Sequence, residues 1–331
     1  MARMRTFLAG ALFLLSVCLT GAAKAELLWD IRPEKPLFAL GEKLTVFLTL
    51  KNTGQGPVLY PYWQNPCDED SFSLEDPSGK KIPFSGPLVK RLPPTQADMR
   101  ALWPGESLRC QVDLAKGFRP QAAGKYDLVF SRSLGGHALR GKRVSVVLVG
   151  SPSALALPSP KIAPFEGCGE DEKGVILQAQ QVAMDMVQNA LSILSWLSGD
   201  GTVFRFYQRW FGFPLYPRQD IVKGHFDAIA QILPQETYSC ACSLKDPAKV
   251  FAYTNPDLPY ELHLCPVFWE TGMTGIDSKA GTLVHETGHF VGLEDIAYGF
   301  DNALALAQKN PSRAIYNADS HEYFAEEGYG R

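Results

Sequence analysis

Residues 280–290 read Ala-Gly-Thr-Leu-Val-His-Glu-Thr-Gly-His-Phe and place His285 and His289 four positions apart. On an α-helix, residues four apart share one face, so both imidazole rings can reach one metal ion. Glu286 lies between them, where its carboxylate can take a proton from the water that such a metal activates. This HExxH pattern is typical of zinc-dependent peptidases and predicts one Zn²⁺ per chain. The alternative is a pair of surface histidines without a metal.

A catalytic zinc ion takes three protein ligands and keeps one open position, so the two histidines need a third partner. Asp295 follows His289 by six residues, and Gly292 between them allows the chain to turn back toward the metal. Glu294 is the neighbour of this aspartate, and Glu322 lies on the final predicted helix. Each candidate indicates a different class of zinc peptidase.

Two of these classes leave part of the sequence unexplained. The spacing HExxHxxGxxD, which ends at Asp295, is like that of metzincins with an aspartate ligand. Those enzymes have a methionine turn downstream of the motif, whereas the last methionine of this chain, Met273, lies upstream. A gluzincin-like site would use Glu322 and would leave Asp295 and Tyr298 without a role.

A third class accounts for more of the chain. The run Asp295-Ile-Ala-Tyr298-Gly299 resembles the DxxYG signature of the aspzincins, the deuterolysin and peptidyl-Lys metalloendopeptidase family. Residues 275–285 and 317–325 are similar to the lysine-specific branch on either side of the site, and the cysteine order also fits. The resemblance covers residues 167–331. The stretch between His289 and Asp295 departs from the family because it is shorter and has Gly-Leu-Glu before the aspartate.

This resemblance implies a complete catalytic set. His285, His289 and Asp295 would bind Zn²⁺, with Glu294 as the alternative third ligand. Glu286 would act as general base and later pass its proton to the leaving amine. The resemblance assigns oxyanion stabilisation to Tyr298, whose alternative is a packing role.

The same resemblance implies a substrate preference. Asp319 and Glu322 are three apart and share a face of the last predicted helix, which for an arbitrary sequence indicates a solvated surface. In the lysine-specific enzymes the matching acids form a negative S1′ pocket that receives an ammonium group. The implied activity is hydrolysis of protein and peptide substrates on the amino side of lysine.

The N-terminus has the three parts of a secretory signal peptide. Arg3 and Arg5 precede an apolar run from Phe7 to about Leu19, and small residues lead to Ala25. We expect cleavage after Ala25 and export to a periplasm or outside the cell. The competing interpretation is an uncleaved membrane anchor, for which the apolar run is short.

Cysteine count and charge agree with an exported protein. Export would remove one of the seven cysteines, and an even number in an oxidising compartment predicts three disulfides. The six cysteines are Cys67, Cys110, Cys168, Cys240, Cys242 and Cys265. Cys67 and Cys110 are expected to pair because they are the only two cysteines in residues 26–150 of the sequence. The chain has 35 acidic and 32 basic residues, so nothing indicates nucleic-acid binding. We expect a monomer without a stable membrane anchor.

The predicted fold class is α+β, with an N-terminal β-sandwich followed by a mostly helical, zincin-like catalytic domain that contains a small β-sheet. Apolar runs of period two separated by turn residues fill residues 26–150. Four prolines in residues 151–166 indicate a linker. The catalytic domain is expected over residues 167–331.

Within the catalytic domain, apolar spacing predicts a series of helices and two short strands. The helices are expected at about 170–197, 202–210, 220–233 and 278–291, with a last one that has Asn310 and Pro311 as cap and first-turn residue. The strands are expected around 250–253 and 261–264.

Two questions stay open at this stage. The N-terminal region is either a propeptide that assists folding or blocks the cleft, or a permanent domain that binds substrate or the cell surface. Lys161 in the linker offers a site for self-cleavage. The non-enzyme hypothesis is a secreted binding protein with a structural zinc ion, which would need four protein ligands.

Overall fold

The computed structural model of the chain describes residues 26–149, 164–195, 201–255, 258 and 260–329. The expected signal peptide, Lys161 and most of the expected linker lie outside these residues. Within the described ranges, no helix has both the length and the apolar character that a membrane crossing requires.

Strands and helices both make up the described chain, which confirms the α+β class. The strands are β1 (Leu27–Pro33), β2 (Leu37–Ala39), β3 (Thr45–Asn52), β4 (Val58–Pro61), β5 (Phe72–Glu75), β6 (Lys81–Ile82), β7 (Leu88–Arg91), β8 (Met99–Leu102), β9 (Ser107–Asp113), β10 (Gly124–Leu134), β11 (His137–Val149), β12 (Phe165–Glu166), β13 (Thr237–Ser239), β14 (Val250–Thr254) and β15 (Glu261–Leu264). The helices are α1 (Glu170–Ser195), α2 (Gly201–Phe211), α3 (Tyr216–Ile232), α4 (Pro266–Glu270), α5 (Lys279–Phe290), α6 (Phe300–Lys309), α7 (Pro311–Ala314) and α8 (Ala318–Gly328).

Two sheets of the N-terminal region contribute to one apolar core. The first has the strand order β1-β3-β9, and the second has the order β2-β11-β10-β5-β6. Successive side chains of a strand point to opposite faces, so Val46 and Leu48 of β3 are buried while Phe47 between them is exposed. Leu128 and Phe130 of β10 belong to the same core.

A five-stranded sheet with the order β12-β13-β15-β14-β7 lies in the C-terminal region. Its outermost strand, β7, comes from the N-terminal region and pairs antiparallel with β14. The sequence did not predict this pairing. At the other edge, Phe165–Glu166 forms β12, so these last residues of the expected linker are a strand because they pair with β13.

The helix boundaries correct several expectations. Helix α3 begins at Tyr216, four residues before the expected start. The first backbone N–H groups of a helix have no partner within it, and Pro217 suits this first turn because it has no N–H. Pro311 begins only the short helix α7, whereas the last helix starts at Ala318. The break between them is stabilised by the Asn317 side chain, which accepts hydrogen bonds from the backbone N–H groups of Ile296 and Ala297.

Helix α5 carries the HExxH motif and is buried along nearly its whole length. It packs closely against α8 at Gly281, where an added Cβ would lie 1.9 Å from the Glu326 Oε1 atom. Glu326 accepts hydrogen bonds from the backbone N–H and the hydroxyl of Ser278, the N-cap of α5. The small residue therefore permits the approach that brings the acidic face of α8 to the motif.

Three disulfides are present in the part of the chain that the structure describes, which is the number expected from the even cysteine count. Cys67 and Cys110 are joined within the N-terminal region. The other two bridges, Cys168–Cys240 and Cys242–Cys265, lie in the C-terminal region.

Candidate metal centre

Three polar atoms converge beside α5 without a hydrogen-bond partner. The Asp295 Oδ1 atom lies 3.1 Å from His285 Nε2 and 3.5 Å from His289 Nε2. All three atoms are buried and unpaired in the protein. Buried polar atoms normally have partners, and two imidazole nitrogens with one carboxylate oxygen are a donor set that suits Zn²⁺. The residues therefore fit the expected metal.

A tight turn after α5 brings Asp295 to the histidines. Gly292 has a φ of +93°, a backbone conformation that glycine adopts without strain. The backbone N–H of Leu293 donates to the Gly288 carbonyl oxygen at 3.0 Å. The Leu293 carbonyl oxygen lies 2.9 Å from His289 Nδ1 and can accept a hydrogen bond from its N–H group. This leaves Nε2 free to bind a metal. The short stretch between His289 and Asp295 is thus long enough to bring the aspartate to the histidines.

The neighbouring acid, Glu294, points elsewhere. Its side chain is exposed, and its backbone pairs with Tyr316 and Ala318. Among the described residues, the two groups that could hold a metal ion are His285-His289-Asp295 and His285-Asp319-Glu322. Glu294 belongs to neither.

Two members of the first group, Asp295 and His289, take the protonation states that bind a metal. Burial raises the pKa of Asp295, but the two histidines and the Tyr298 hydroxyl outweigh it and bring this pKa down to about 2. Burial lowers the pKa of His289, which keeps this imidazole neutral. A carboxylate and a neutral imidazole are the forms that coordinate metals. Burial lowers the pKa of the third member, His285, but Asp295, Asp319 and Glu322 outweigh it and raise this pKa well above its ordinary value, so a metal ion would have to displace a proton there.

Glu286 lies in the same buried space. Neither of its carboxylate oxygens has a hydrogen bond of regular geometry, and burial raises its pKa to about 8. The positive charges of His285 and Lys90 act in the opposite direction, as does the backbone N–H of Lys90, which faces the carboxylate. A carboxyl group that titrates near neutral pH is suited to accept and return a proton.

The Tyr298 hydroxyl donates a hydrogen bond of 3.2 Å to Asp295 Oδ2. Burial raises the pKa of this tyrosine well above its ordinary value, so the side chain is a neutral donor. Its hydroxyl is therefore next to the convergent atoms, and its role in oxyanion stabilisation stays a prediction.

Asp319 contacts His285, and its charge also acts on the Lys90 ammonium group. Its Oδ1 atom lies 2.9 Å from His285 Nδ1, and its Oδ2 atom accepts a hydrogen bond of 2.5 Å from the Gly299 backbone N–H. A carboxylate on the far nitrogen of a histidine orients the ring and raises its basicity. The place of Asp319 in a lysine pocket stays a prediction.

Glu322 and Asp277 both contact a buried lysine, and Glu322 Oε2 also lies 3.2 Å from His285 Nδ1. The Lys90 ammonium group of β7 lies 2.6 Å from Glu322 Oε2 and 3.0 Å from Asp277 Oδ1. Lys90 is only 2% exposed, and its ammonium group is 4.8 Å from the centre of the Phe251 ring. Burial lowers the pKa of Lys90, but the three nearby acids outweigh it and hold it well above its ordinary value.

Sequence reasoning missed both Asp277 and Lys90. Asp277 lies within residues 275–285, which resemble the lysine-specific branch, so the signal was present without an assigned role. Its φ of +55° is unusual for a residue other than glycine, and Tyr323 donates a 2.9 Å hydrogen bond to it. No local pattern marks Lys90.

Buried Glu236 supports the motif helix from the opposite side. It accepts hydrogen bonds from the hydroxyls of Thr287 and Tyr238. Burial raises its pKa to about 8, above its ordinary value of 4.5, so the folded protein keeps this carboxyl group protonated at neutral pH.

We expect Glu236→Gln to weaken the pH dependence of stability. Between pH 4.5 and about 8 the folded state holds a proton that the unfolded state releases, so the free energy of unfolding falls as pH rises. In the unmodified chain this group lowers the free energy of unfolding by up to about 1.4 kcal/mol per pH unit, and the variant should lack that contribution. Urea unfolding measured from pH 5 to 8 compares the two slopes. Glu270→Gln, on an exposed side chain, is the matched control. An unchanged slope in Glu236→Gln would contradict the protonated state.

Taken together, the paired histidines, the glutamate between them and the nearby carboxylate define a metallopeptidase of the HExxH type. Residues 198–326 match the aspzincin family, described as lysine-specific metallo-endopeptidase. The chain is 34% identical over 313 residues to an extracellular protease of Aeromonas hydrophila, across 86% of this chain and 88% of that protein. It belongs to the aspzincin family and is a zinc metalloendopeptidase.

Two further relatives come from Grifola frondosa. A peptidyl-Lys metalloendopeptidase is 30% identical over 281 residues, which cover 78% of this chain and 79% of that protein. A solved structure of a zinc peptidase shares 34% sequence identity over 49% of this chain and 99% of its own, with a TM-score of 0.45. The family model and the two protein relatives confirm the family expected from the sequence.

Proposed function

We propose that this zinc endopeptidase cuts peptide bonds on the amino side of lysine. The observation that carries the proposal is the Lys90 ammonium group, which is held by Glu322 and Asp277 next to the candidate metal ligands. A buried cation between two carboxylates is stable only where its charge is paired, so the pocket selects a positive charge. The name of the Grifola frondosa relative agrees with this preference.

In this proposal His285, His289 and Asp295 hold the zinc ion. When bound there, zinc acts as a Lewis acid toward the peptide carbonyl group and lowers the pKa of water. The Asp319 carboxylate fixes the orientation of the His285 ring by its contact with His285 Nδ1.

Two groups of the chain take part in the proton and charge movements. Glu286 accepts a proton from water and returns it to the nitrogen of the leaving amine, which its buried position and raised pKa support. Tyr298 remains protonated and can turn its hydroxyl from Asp295 to the oxyanion that forms on the carbonyl group.

The proposal also covers the exported form of the chain. The pattern of residues 1–25, the three disulfides and the name of the Aeromonas hydrophila relative support secretion. We take residues 26–150 as a β-sandwich domain, supported by the core that two sheets share, and residues 167–331 as the catalytic domain. The enzyme is proposed to act as a monomer without a lasting membrane anchor.

Digestion of an unfolded protein tests the proposed function. We expect new N-termini that begin with lysine, read by mass spectrometry, and none when a chelator is present. The experiment uses both the unmodified chain and the Lys90→Gln variant, in which the chain's own lysine no longer competes for the pocket. Failure of both to cut, or cutting without preference for lysine, would contradict the proposal.

A further inference from the structure

The turn between α2 and α3 exposes three apolar side chains, which we call the apolar tip. Phe213 is 55% exposed, Leu215 is 46% exposed and Tyr216 is 77% exposed. Single apolar side chains on a surface are ordinary, but neighbouring ones that stay in water mark a site that binds a protein or a membrane. The apolar tip is therefore a candidate interaction site, and it includes none of the residues of the metal centre.

Close packing fixes the position of the apolar tip. Gly212 has a φ of +72°, and an added Cβ would lie 2.5 Å from Pro311 Cγ and 2.7 Å from the Ala307 carbonyl oxygen. The turn thus lies directly on the corner where α6 ends and α7 begins. One proline precedes Leu215 and another follows Tyr216, and each fixes its own φ. A tip held in this way loses little conformational entropy when it binds a partner.

The surface around the apolar tip is basic. Residues 202–219 and 302–318 contain no aspartate or glutamate, although the whole chain has 35 acidic and 32 basic residues. We call the basic residues of these two segments the basic face: Arg205, Arg209, Arg218, Lys309 and Arg313. Glu327 of α8 reaches this face from one side and pairs with Arg209 at 3.3 Å. Five basic residues against this acid leave the basic face with a net positive charge.

A groove of about 460 Å³ lies between α2 and α6 on the basic face. Its lining consists of Arg205, Gln208, Arg209, Leu304 and Gln308. Guanidinium and carboxamide groups donate hydrogen bonds to phosphate oxygens, and none of these five side chains is a carboxylate that would repel an anion. The groove therefore suits an anionic headgroup next to the apolar tip.

A second copy of the chain does not suit this surface. A twofold dimer uses the same patch on both copies, so the basic face of one copy would lie against that of the other. Like charges placed opposite each other across an interface repel. A bilayer with anionic lipids carries the opposite charge and accepts apolar side chains at its interface.

We propose that the apolar tip and the basic face form a docking surface for a membrane that contains anionic phospholipids. The three apolar side chains enter the interfacial region, while the basic residues pair with headgroup phosphates. Helix α6 starts directly after Gly299, whose N–H donates to Asp319, and its ten residues span about 15 Å. Docking therefore occurs at the end of α6 that is farther from the candidate metal centre. Binding of this kind is reversible and needs no membrane-spanning helix.

Vesicle flotation of the full chain tests the proposal. The Glu286→Gln background keeps the chain intact, and the vesicles contain phosphatidylcholine alone or with phosphatidylglycerol at a ratio of about 7:3. We expect at least about tenfold stronger partitioning onto the vesicles with phosphatidylglycerol in about 0.05 M NaCl. In about 0.5 M NaCl this partitioning should fall at least about fivefold, because salt screens the charges. Equal binding to both vesicles, or binding to neither, would overturn the proposal.

Two double variants separate the apolar and the charged contributions. Leu215→Ser with Tyr216→Ser removes apolar area and keeps the charge, and serine is well suited to residue 215 because this position is the N-cap of α3. Lys309→Gln with Arg313→Gln removes two exposed charges. Each pair should weaken binding to the vesicles with phosphatidylglycerol by at least about tenfold.

The matched controls change similar side chains on other surfaces. Leu28→Ser with Trp103→Ser replaces exposed apolar groups, and Lys51→Gln with Lys116→Gln removes exposed charges. Both controls should bind vesicles as the parent chain does. Equal losses in the controls would overturn the proposal. Binding to soluble polyglutamate without binding to vesicles would also overturn it, since that result indicates an acidic protein partner.

Discussion

Glu286→Gln is expected to lower kcat by about 10²- to 10⁴-fold while the protein keeps one zinc ion per chain. The amide has nearly the same size as the carboxyl group but cannot take a proton from water. Both carboxylate oxygens are buried and free of regular hydrogen bonds, so the substitution removes no regular hydrogen bond of the protein. Activity on a lysine peptide and metal content by mass spectrometry check the two halves of this expectation, measured in the Lys90→Gln chain.

Glu294→Gln is the matched control for this experiment. The side chain is exposed and lies outside both candidate metal groups, although it precedes Asp295 in sequence. Its activity and zinc content should equal those of the parent chain. Activity within tenfold of the parent in Glu286→Gln, or loss of zinc in Glu294→Gln, would contradict the assigned roles.

Substitutions in the acidic cluster should separate metal binding from lysine recognition. Glu322→Gln and Asp277→Asn are each expected to lower kcat/KM for lysine peptides by about 10- to 100-fold relative to alanine peptides, because each removes a charged hydrogen bond worth about 1.5–3 kcal/mol. Asp319→Asn should instead weaken zinc binding by about 10- to 100-fold, since its carboxylate orients His285.

The measurements are the kcat/KM ratio of lysine to alanine peptides and the zinc affinity by competition with a chelator. The sequence alone assigned Asp319 and Glu322 to one pocket and predicted the same effect for both. Loss of the lysine preference in Asp319→Asn with unchanged zinc affinity would favour that assignment and contradict a role of Asp319 in zinc binding.

Local sequence patterns predicted the parts of the site that local structure builds. The spacing of His285 and His289 follows from helical periodicity, and the turn to Asp295 depends on one glycine. The strands β14 and β15 were expected within one residue of their bounds for the same reason. These features depend on residues close together in the chain.

The other features depend on contacts between distant residues. Lys90 and Glu322 are 232 positions apart, and no periodicity in β7 indicates which sheet edge it joins. Asp319 and Glu322 share a face of α8 and lie 2.9 Å and 3.2 Å from His285 Nδ1, but Glu322 is the one that also pairs with Lys90 at 2.6 Å. Tertiary packing therefore determines which of the two acids pairs with the cation.

The most direct test is an anomalous diffraction map of the zinc-loaded chain, recorded at the zinc absorption edge in the Glu286→Gln variant. The account predicts one peak about 2.0–2.2 Å from His285 Nε2, His289 Nε2 and an Asp295 carboxylate oxygen, with a fourth position not filled by a protein ligand. The Lys90 side chain should lie in the pocket of Glu322 and Asp277. A zinc ion with four protein ligands, or one bound by Glu294 or Glu322 in place of Asp295, would contradict it.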